Sequence, residues 1–161
     1  MKKSQKGFTL VELIVVIAII GVLAAILVPS MMGYVKKSKL KSANSNAKLV
    51  FTTANSALSD CVVEGKIPTA TTFASTSGDL EADFKVSSPT TADDILKNSI
   101  YEALKDNGDG AGCVFVALDT NKSSVSYAQW ANDDAQTTLG GQYPDPNDDP
   151  DDTFTWGSKM N

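Results

Sequence analysis

The fold of this chain is decided near its start, where residues 7–32 read GFTLVELIVVIAIIGVLAAILVPSMM. The 20 residues from Leu13 to Met32 carry no charge. A helix of that length rises about 30 Å, which matches the hydrocarbon thickness of a bilayer. One carboxylate, Glu12, stands immediately before this run, and ionisable groups at such positions are costly unless they have a function. We therefore predict a membrane-spanning helix with a functional acid at its head.

The motif Gly-Phe-Thr-Leu-Val-Glu, residues 7–12, resembles the N-terminus of type IV pilins and the related pseudopilins. The resemblance implies that a dedicated peptidase cuts between Gly7 and Phe8 and that the new N-terminal Phe8 is methylated. It also implies that Glu12 pairs with the Phe8 amine of a neighbouring subunit and sets the register of a fibre. Gly21 and Pro29 match the family pattern too, and the resemblance implies that the stretch between them loses helical order in the fibre.

Two other interpretations of the N-terminus compete with this one. One is a secretory signal peptide cleaved near Ala24 and Ala25, and the other is a plain single-span anchor. Glu12 disfavours both, because a carboxylate weakens a signal peptide and adds nothing to a simple anchor. In a processed helix, by contrast, an acid in the first turn complements the helix dipole.

The charge of the 161-residue chain is strongly segregated. Residues 1–48 hold eight Lys and one acid, a net charge of +7, whereas residues 49–161 hold six Lys and eighteen acids, a net charge of −12. The acidic C-terminal part is therefore not expected to bind nucleic acid, since phosphate contacts need cationic surface. The chain contains no His and no Arg, which excludes His-based catalytic triads and His metal ligands. We predict no enzymatic activity and no catalytic residue.

Helical periodicity continues well beyond the apolar run. Apolar residues recur at steps of three and four between Leu40 and Cys61, so one helix is predicted from about Thr9 to about Asp60, with Gly65 as its cap. Residues 69–78 are predicted to be a loop, and a second helix is predicted to start after Thr91. Strands are predicted at residues 113–118 and 124–130, with a weaker candidate at residues 153–156.

These elements predict an α+β fold of the pilin type, with a long N-terminal helix packed on a small antiparallel sheet. The predicted organisation is a leader peptide at residues 1–7, a transmembrane and polymerisation helix at residues 8–32, and a helix continuation plus globular head at residues 33–161.

The two cysteines, Cys61 and Cys113, favour a disulfide outside the cytoplasm over the alternative of two buried thiols. Acidic stretches at residues 143–152 and 106–110 allow a calcium site, although neither has the ligand spacing of an EF-hand. A solvated surface loop is the favoured interpretation of both, with contact to the basic stalks of neighbouring subunits as the other alternative, so no metal ligand and no cofactor are assigned.

The resemblance implies a structural subunit of a type IV pilus, made as a single-pass protein of the cytoplasmic membrane and then assembled into an extracellular homopolymer for adhesion or motility. Its implied partners are the prepilin peptidase, an assembly ATPase and a membrane platform protein. One alternative is a pseudopilin of a type II secretion or competence system. Another is a carbohydrate-binding adhesin with a pilin-like anchor, which would stack sugars on Trp130, Tyr143 and Trp156.

Overall fold

The structure is a computed structural model, which describes residues 7–75, 79–107, 112–132, 139–151 and 154–160. The chain divides into two compact units, one that runs to Lys36 and one that begins at Lys37. Of the predicted leader, only Gly7 lies within the described residues.

The first element is the helix α1, Leu10–Val63, which contains Pro29 and confirms the prediction of one long N-terminal helix. Its C-terminus is closed by Gly65, whose φ of +72° is readily adopted by glycine. The amide of Lys66 donates to the carbonyl of Cys61 at 2.8 Å, and the amide of Gly65 donates to the carbonyl of Val62 at 3.0 Å. This is the hydrogen-bond pattern of a Schellman cap, so the predicted stop signal is confirmed.

A four-stranded antiparallel sheet and two shorter helices follow α1. The remaining elements, in chain order, are β1 (Thr72–Ser75), α2 (Leu80–Phe84), α3 (Ala92–Leu104), β2 (Cys113–Leu118), β3 (Val125–Ala131) and β4 (Gly140–Tyr143). The strands lie in the order β1-β2-β3-β4, so each is hydrogen-bonded to its neighbour in the chain. The predicted α+β class, with a long helix and a small antiparallel sheet, is confirmed.

The hydrophobic core lies between the second half of α1, one face of the sheet, and helices α2 and α3. Val114 pairs with Trp130 and Val116 with Ala128, so these side chains share the face of the sheet that meets α1. The helices contribute a further set of buried side chains: Ala43, Ala47, Val50, Ala54, Leu58, Leu80, Phe84, Leu96, Ile100 and Leu104.

The opposite face of the sheet is covered by the C-terminal segment, residues 154–160. Gln129 on β3 and Gln142 on β4 are directly paired and fully buried there. The side-chain amide of Gln129 donates to the carbonyl of Ser158 at 2.7 Å, and the amide N–H of Met160 donates to Oε1 of Gln142 at 2.8 Å. These bonds hold the C-terminal segment against the sheet.

The sequence predictions were incomplete in the head. Residues 72–75, within the predicted loop at 69–78, form strand β1, and β4 and α2 were not predicted. The weak strand candidate at residues 153–156 was wrong for its described part, residues 154–156, which is not a strand. The short strands escaped notice because β1 is rich in Ser and Thr and β4 begins with two glycines, a composition typical of loops.

Candidate functional site

The candidate site begins at the bond between Gly7 and Phe8, just before α1. Both residues are exposed, and the Phe8 side chain has 88% of its surface accessible. Nothing lies within 4 Å of the position that a Cβ on Gly7 would occupy. The bond is therefore sterically open in the described part of the chain, as a peptidase substrate must be.

Glu12 closes a capping box with Thr9 at the start of α1. The amide and the hydroxyl of Thr9 donate to Oε2 of Glu12 at 2.8 and 2.7 Å, and the amide of Glu12 donates to the Thr9 hydroxyl at 3.3 Å. A capping box satisfies two backbone donors that the first helical turn leaves unpaired. Sequence reasoning missed the role of Thr9, although the spacing Thr-x-x-Glu is the signature of this motif.

The capping box uses one oxygen of the Glu12 carboxylate. Both bonds from Thr9 end on Oε2, and among the described residues Oε1 has no hydrogen-bond partner. The carboxylate is thus held in a fixed orientation at the head of the helix while its second oxygen is open to a cation from outside the chain.

Gly21 and Pro29 both lie inside α1. No atom comes within 4 Å of a Cβ placed on Gly21. Pro29 has no amide proton, so it cannot donate to the carbonyl of Ala25, and the Ser30 hydroxyl donates to the carbonyl of Leu27 at 2.9 Å. Loss of helical order between Gly21 and Pro29 in a fibre stays a prediction.

Every residue from 7 to 39 is exposed, including all of the large apolar side chains of this segment. Helix α1 is the one described helix that is long and apolar enough to cross a membrane. An apolar surface of this extent needs lipid or another protein around it. The segment is therefore suited to two environments, a bilayer and the interior of an assembly.

The predicted disulfide between Cys61 and Cys113 is not formed in the structure, where both residues are buried thiols. Cys113 pairs with Ala131 and alternates with Val114, so it points away from α1, whereas Cys61 lies on the buried stripe of α1. The sheet therefore separates the two side chains, and a disulfide needs Cα atoms within about 7 Å. Burial raises the pKa of the Cys61 thiol, which keeps it protonated and unreactive.

The acidic stretches hold no converging metal ligands in the part of the chain that the structure describes, where no three His, Cys, Asp or Glu side chains form a group that could hold an ion. In the second stretch, residues 108–110 lie outside the described residues, as does Asp152 in the first. A calcium site in either stretch stays an untested expectation.

The aromatic face proposed for sugar binding is not formed. Trp130 is buried in the core with 2% of its surface exposed, on the side of the sheet that meets α1. Tyr143 packs edge-on against Phe51 at 4.9 Å between ring centroids, and Trp156 lies with Phe115 on the opposite face. The three rings of the prediction do not share one surface, so they cannot stack on one sugar chain.

Comparison with known proteins fits this geometry. A family model described as the prokaryotic N-terminal methylation motif matches residues 2–28. The chain is 37% identical over 124 residues to a fimbrial protein of Pseudomonas aeruginosa, covering 77% of this chain and 73% of that relative. It is 33% identical over 138 residues to the type IV major alpha-pilin of Moraxella bovis, covering 85% and 82%. The chain belongs to the type IV pilin family.

A further relative of this pilin is the type IV major fimbrial protein FimA of Dichelobacter nodosus, 44% identical over 66 residues that cover 41% of this chain and 40% of the relative. No solved structure matches this pilin. Gly7, Phe8, Glu12 and Gly21 lie within the range matched by the family model, whereas Pro29 lies one position beyond it.

Proposed function

We propose that this chain is the structural subunit of a type IV pilus. In this account it is inserted in the cytoplasmic membrane by the apolar half of α1, is cleaved between Gly7 and Phe8, is methylated on the Phe8 amine, and is then assembled into an extracellular homopolymer. It acts without catalysis. Its assembly partners are a prepilin peptidase, an assembly ATPase and a platform protein of the membrane.

The observation that carries this proposal is a fully exposed apolar segment with one carboxylate at its head. Removing the apolar side chains of residues 13–32 from water, into lipid or into a fibre core, is favourable by about 25 cal/mol per Å² in either case. The helix can therefore move from one environment to the other without a large loss of hydrophobic free energy.

Glu12 supplies the specificity that the apolar contacts lack. Apolar packing alone permits many axial registers of neighbouring helices, whereas a buried carboxylate strongly favours the register that gives it a cation. After cleavage, the amine of Phe8 in a second copy is such a cation, and Oε1 of Glu12 is open to receive it.

The names of the curated relatives favour a pilus over a pseudopilus, since those proteins are called fimbrial proteins and major pilins. The proposed fibre then extends from the cell surface and acts in adhesion or motility.

The first prediction concerns Glu12. In the host, Glu12→Gln should lower the amount of chain in the sheared surface fraction at least about tenfold, because a charge-assisted hydrogen bond is worth roughly 1.5–3 kcal/mol. The processed chain should accumulate in the membrane fraction. Asp60→Asn, which alters an exposed acid of the same helix, is the matched control and should assemble like the wild type. Normal fibres from Glu12→Gln would refute the proposed role of this carboxylate.

A further inference from the structure

Three lysines of α1 form one stripe along its exposed flank. Lys37, Lys41 and Lys48 are all exposed, and at about 100° per residue they fall within about 40° of one another around the helix axis. We call these three residues the lysine stripe. It lies to one side of the buried face of α1, which is centred on Ala43 and Ala54.

An acidic loop borders this stripe. The loop, residues 144–151, follows β4 and is held against α1 by Asn44, whose side-chain amide donates to the carbonyl of Asn147 at 2.7 Å. The amide of Gln142 donates to Oδ1 of Asn44 at 3.1 Å, which fixes the strand that precedes the loop. Asp148 and Asp149 are exposed on this loop.

The lysine stripe and the acidic loop are about 100 residues apart in the sequence, and the structure shows no ion pair between their described residues. Among the described residues, no acid forms an ion pair with Lys37, Lys41 or Lys48. The ammonium of Lys48 instead lies 5.5 Å from the centre of the Tyr143 ring. Within the loop, Asp145 pairs with Lys159 at 2.9 Å, so Asp148 and Asp149 are the acids that the proposed contact uses.

A homopolymer of this chain has an electrostatic difficulty that such a pair of surfaces resolves. Residues 49–161 carry a net charge of −12, so neighbouring heads in a fibre repel one another. A contact that places cations against the acids of the next head offsets this repulsion, and a second copy of the chain supplies those cations.

We propose that the lysine stripe of one subunit docks on the acidic loop of a neighbouring subunit. This inference rests on the proposed function, because it places the contact within the fibre.

The test is a charge exchange in the full-length chain, read as the ratio of chain in the sheared fraction to chain in the membrane fraction. Lys37→Glu with Lys41→Glu should lower this ratio about tenfold, because like charges across an interface cost several kcal/mol. Asp148→Lys with Asp149→Lys should lower it by a similar factor. Combining all four substitutions should restore assembly to within about twofold of the wild type, since the attraction returns with reversed signs.

Lys39→Glu is the matched control for the single reversal Lys37→Glu, since both change one exposed lysine of the same part of α1, but Lys39 lies away from the stripe. Combining this control with the two Asp→Lys substitutions should give no recovery. Circular dichroism in detergent should show the wild-type helix content in each variant. This result would exclude unfolding as the cause of lost assembly.

Three results would overturn the inference. Normal assembly of either double variant would show that the contact does not exist. Failure of the variant with all four substitutions to recover assembly would show the same. A wild-type chain that yields no sheared fibre at all would refute the proposed function itself, and this inference with it.

Discussion

At the scale of single residues, two glutamines organise the end of the chain. Gln129 and Gln142 are both 0% exposed, and the amide of Gln129 donates to Oε1 of Gln142 at 3.2 Å. The backbone amide of Gly157 donates to Oε1 of Gln129 at 2.8 Å, and the side-chain amide of Gln142 donates to the carbonyls of Asp145 and Met160, each at 3.1 Å. Each side chain thus uses both its donor and its acceptor, as buried polar groups must.

We expect Gln142→Leu to lower the free energy of unfolding by about 1–3 kcal/mol, because leucine fills the site but leaves buried backbone groups without partners. Denaturant unfolding of the full-length chain in detergent, followed by tryptophan fluorescence, measures this change. Thr52→Val on the exposed side of α1 is the control and should stay within about 0.5 kcal/mol of the wild type. Equal stability of Gln142→Leu and the control would contradict the structural role of the pair.

The helix cap at the start of α3 predicts that the stability of the chain depends on pH. Thr91 and Asp94 form a capping box at the start of α3, in which the amide of Thr91 donates to the carboxylate of Asp94 at 3.3 Å. The pKa of Asp94 is lowered below its usual value chiefly by a side-chain hydrogen bond with Thr91, and after that by the backbone bond from the Thr91 amide. Because the folded pKa is the lower one, this stabilisation is fully present above the unfolded pKa of about 3.9 and is lost as the pH falls through the folded value.

Thr91→Ala should therefore lose stability at neutral pH, by about 1 kcal/mol for a lost N-cap, and should show a shallower fall of stability below about pH 4. Thr91→Ser keeps the hydroxyl and should retain both the stability and the acid dependence. Unfolding curves recorded from about pH 2.5 to about pH 7 measure both. If the free energy of unfolding of Thr91→Ala fell as steeply at low pH as that of the wild type, the Thr91 side chain would not be the cause of the lowered pKa of Asp94.

At the scale of elements, the sequence was informative where local signals agree with tertiary packing. Helix α1, its Gly65 cap, the Thr91 cap and the β2–β3 hairpin were predictable because periodicity, capping and β-branched composition all indicate the same structure. Strand β4, which begins with Gly140 and Gly141, was not predictable, because a glycine pair signals a turn when the packing partner is unknown. That partner, the backbone of α1, is almost 100 residues away in the sequence, as the bond between Asn44 and Gln142 shows.

The close approach of β4 to α1 makes Gly141 a sensitive position. A Cβ there would lie 2.1 Å from the carbonyl carbon of Ala43 and 2.3 Å from the amide nitrogen of Asn44, both of which are backbone atoms. We expect Gly141→Ala to destabilise the chain by about 1–3 kcal/mol, because β4 must move away from the helix. Gly33→Ala is the matched control: no atom of the described residues lies within 4 Å of a Cβ placed there, and alanine in a helix stabilises by about 0.5–1 kcal/mol.

The comparison of these two variants in the same unfolding experiment decides whether β4 is docked as the structure has it. If Gly141→Ala lowers the free energy of unfolding and Gly33→Ala raises it, the docking of β4 on α1 is supported. A neutral Gly141→Ala would mean that the strand and the helix are farther apart.

At the scale of the whole molecule, the chain combines an apolar N-terminal segment that has no partner within the described residues with a compact acidic head. Gly7, Phe8 and Glu12 could be selected from the sequence, because they belong to one short motif whose meaning does not depend on the fold, and their roles stay predictions. The predicted disulfide and the aromatic sugar-binding face failed for one common reason. Both required knowledge of which face of the sheet each side chain occupies, and a strand alternates its faces at every residue.

The proposed passage of α1 from the membrane into a fibre has a direct consequence for the chemical form of the mature chain. If α1 leaves the membrane for a fibre, the leader must be absent, since three lysines in residues 2–6 could not enter an apolar assembly core without partners. The form found in fibres should therefore differ from the translated chain at its N-terminus.

The measurement that tests this most directly is intact and N-terminal mass spectrometry of the chain from a sheared cell-surface fraction of its own host. The account predicts abundant chain that lacks residues 1–7 and begins with N-methylated Phe8. A chain that begins near Ala25, or that retains residues 1–7 in the sheared fraction, would contradict the account, because Glu12 would then have no Phe8 amine to pair with in the fibre.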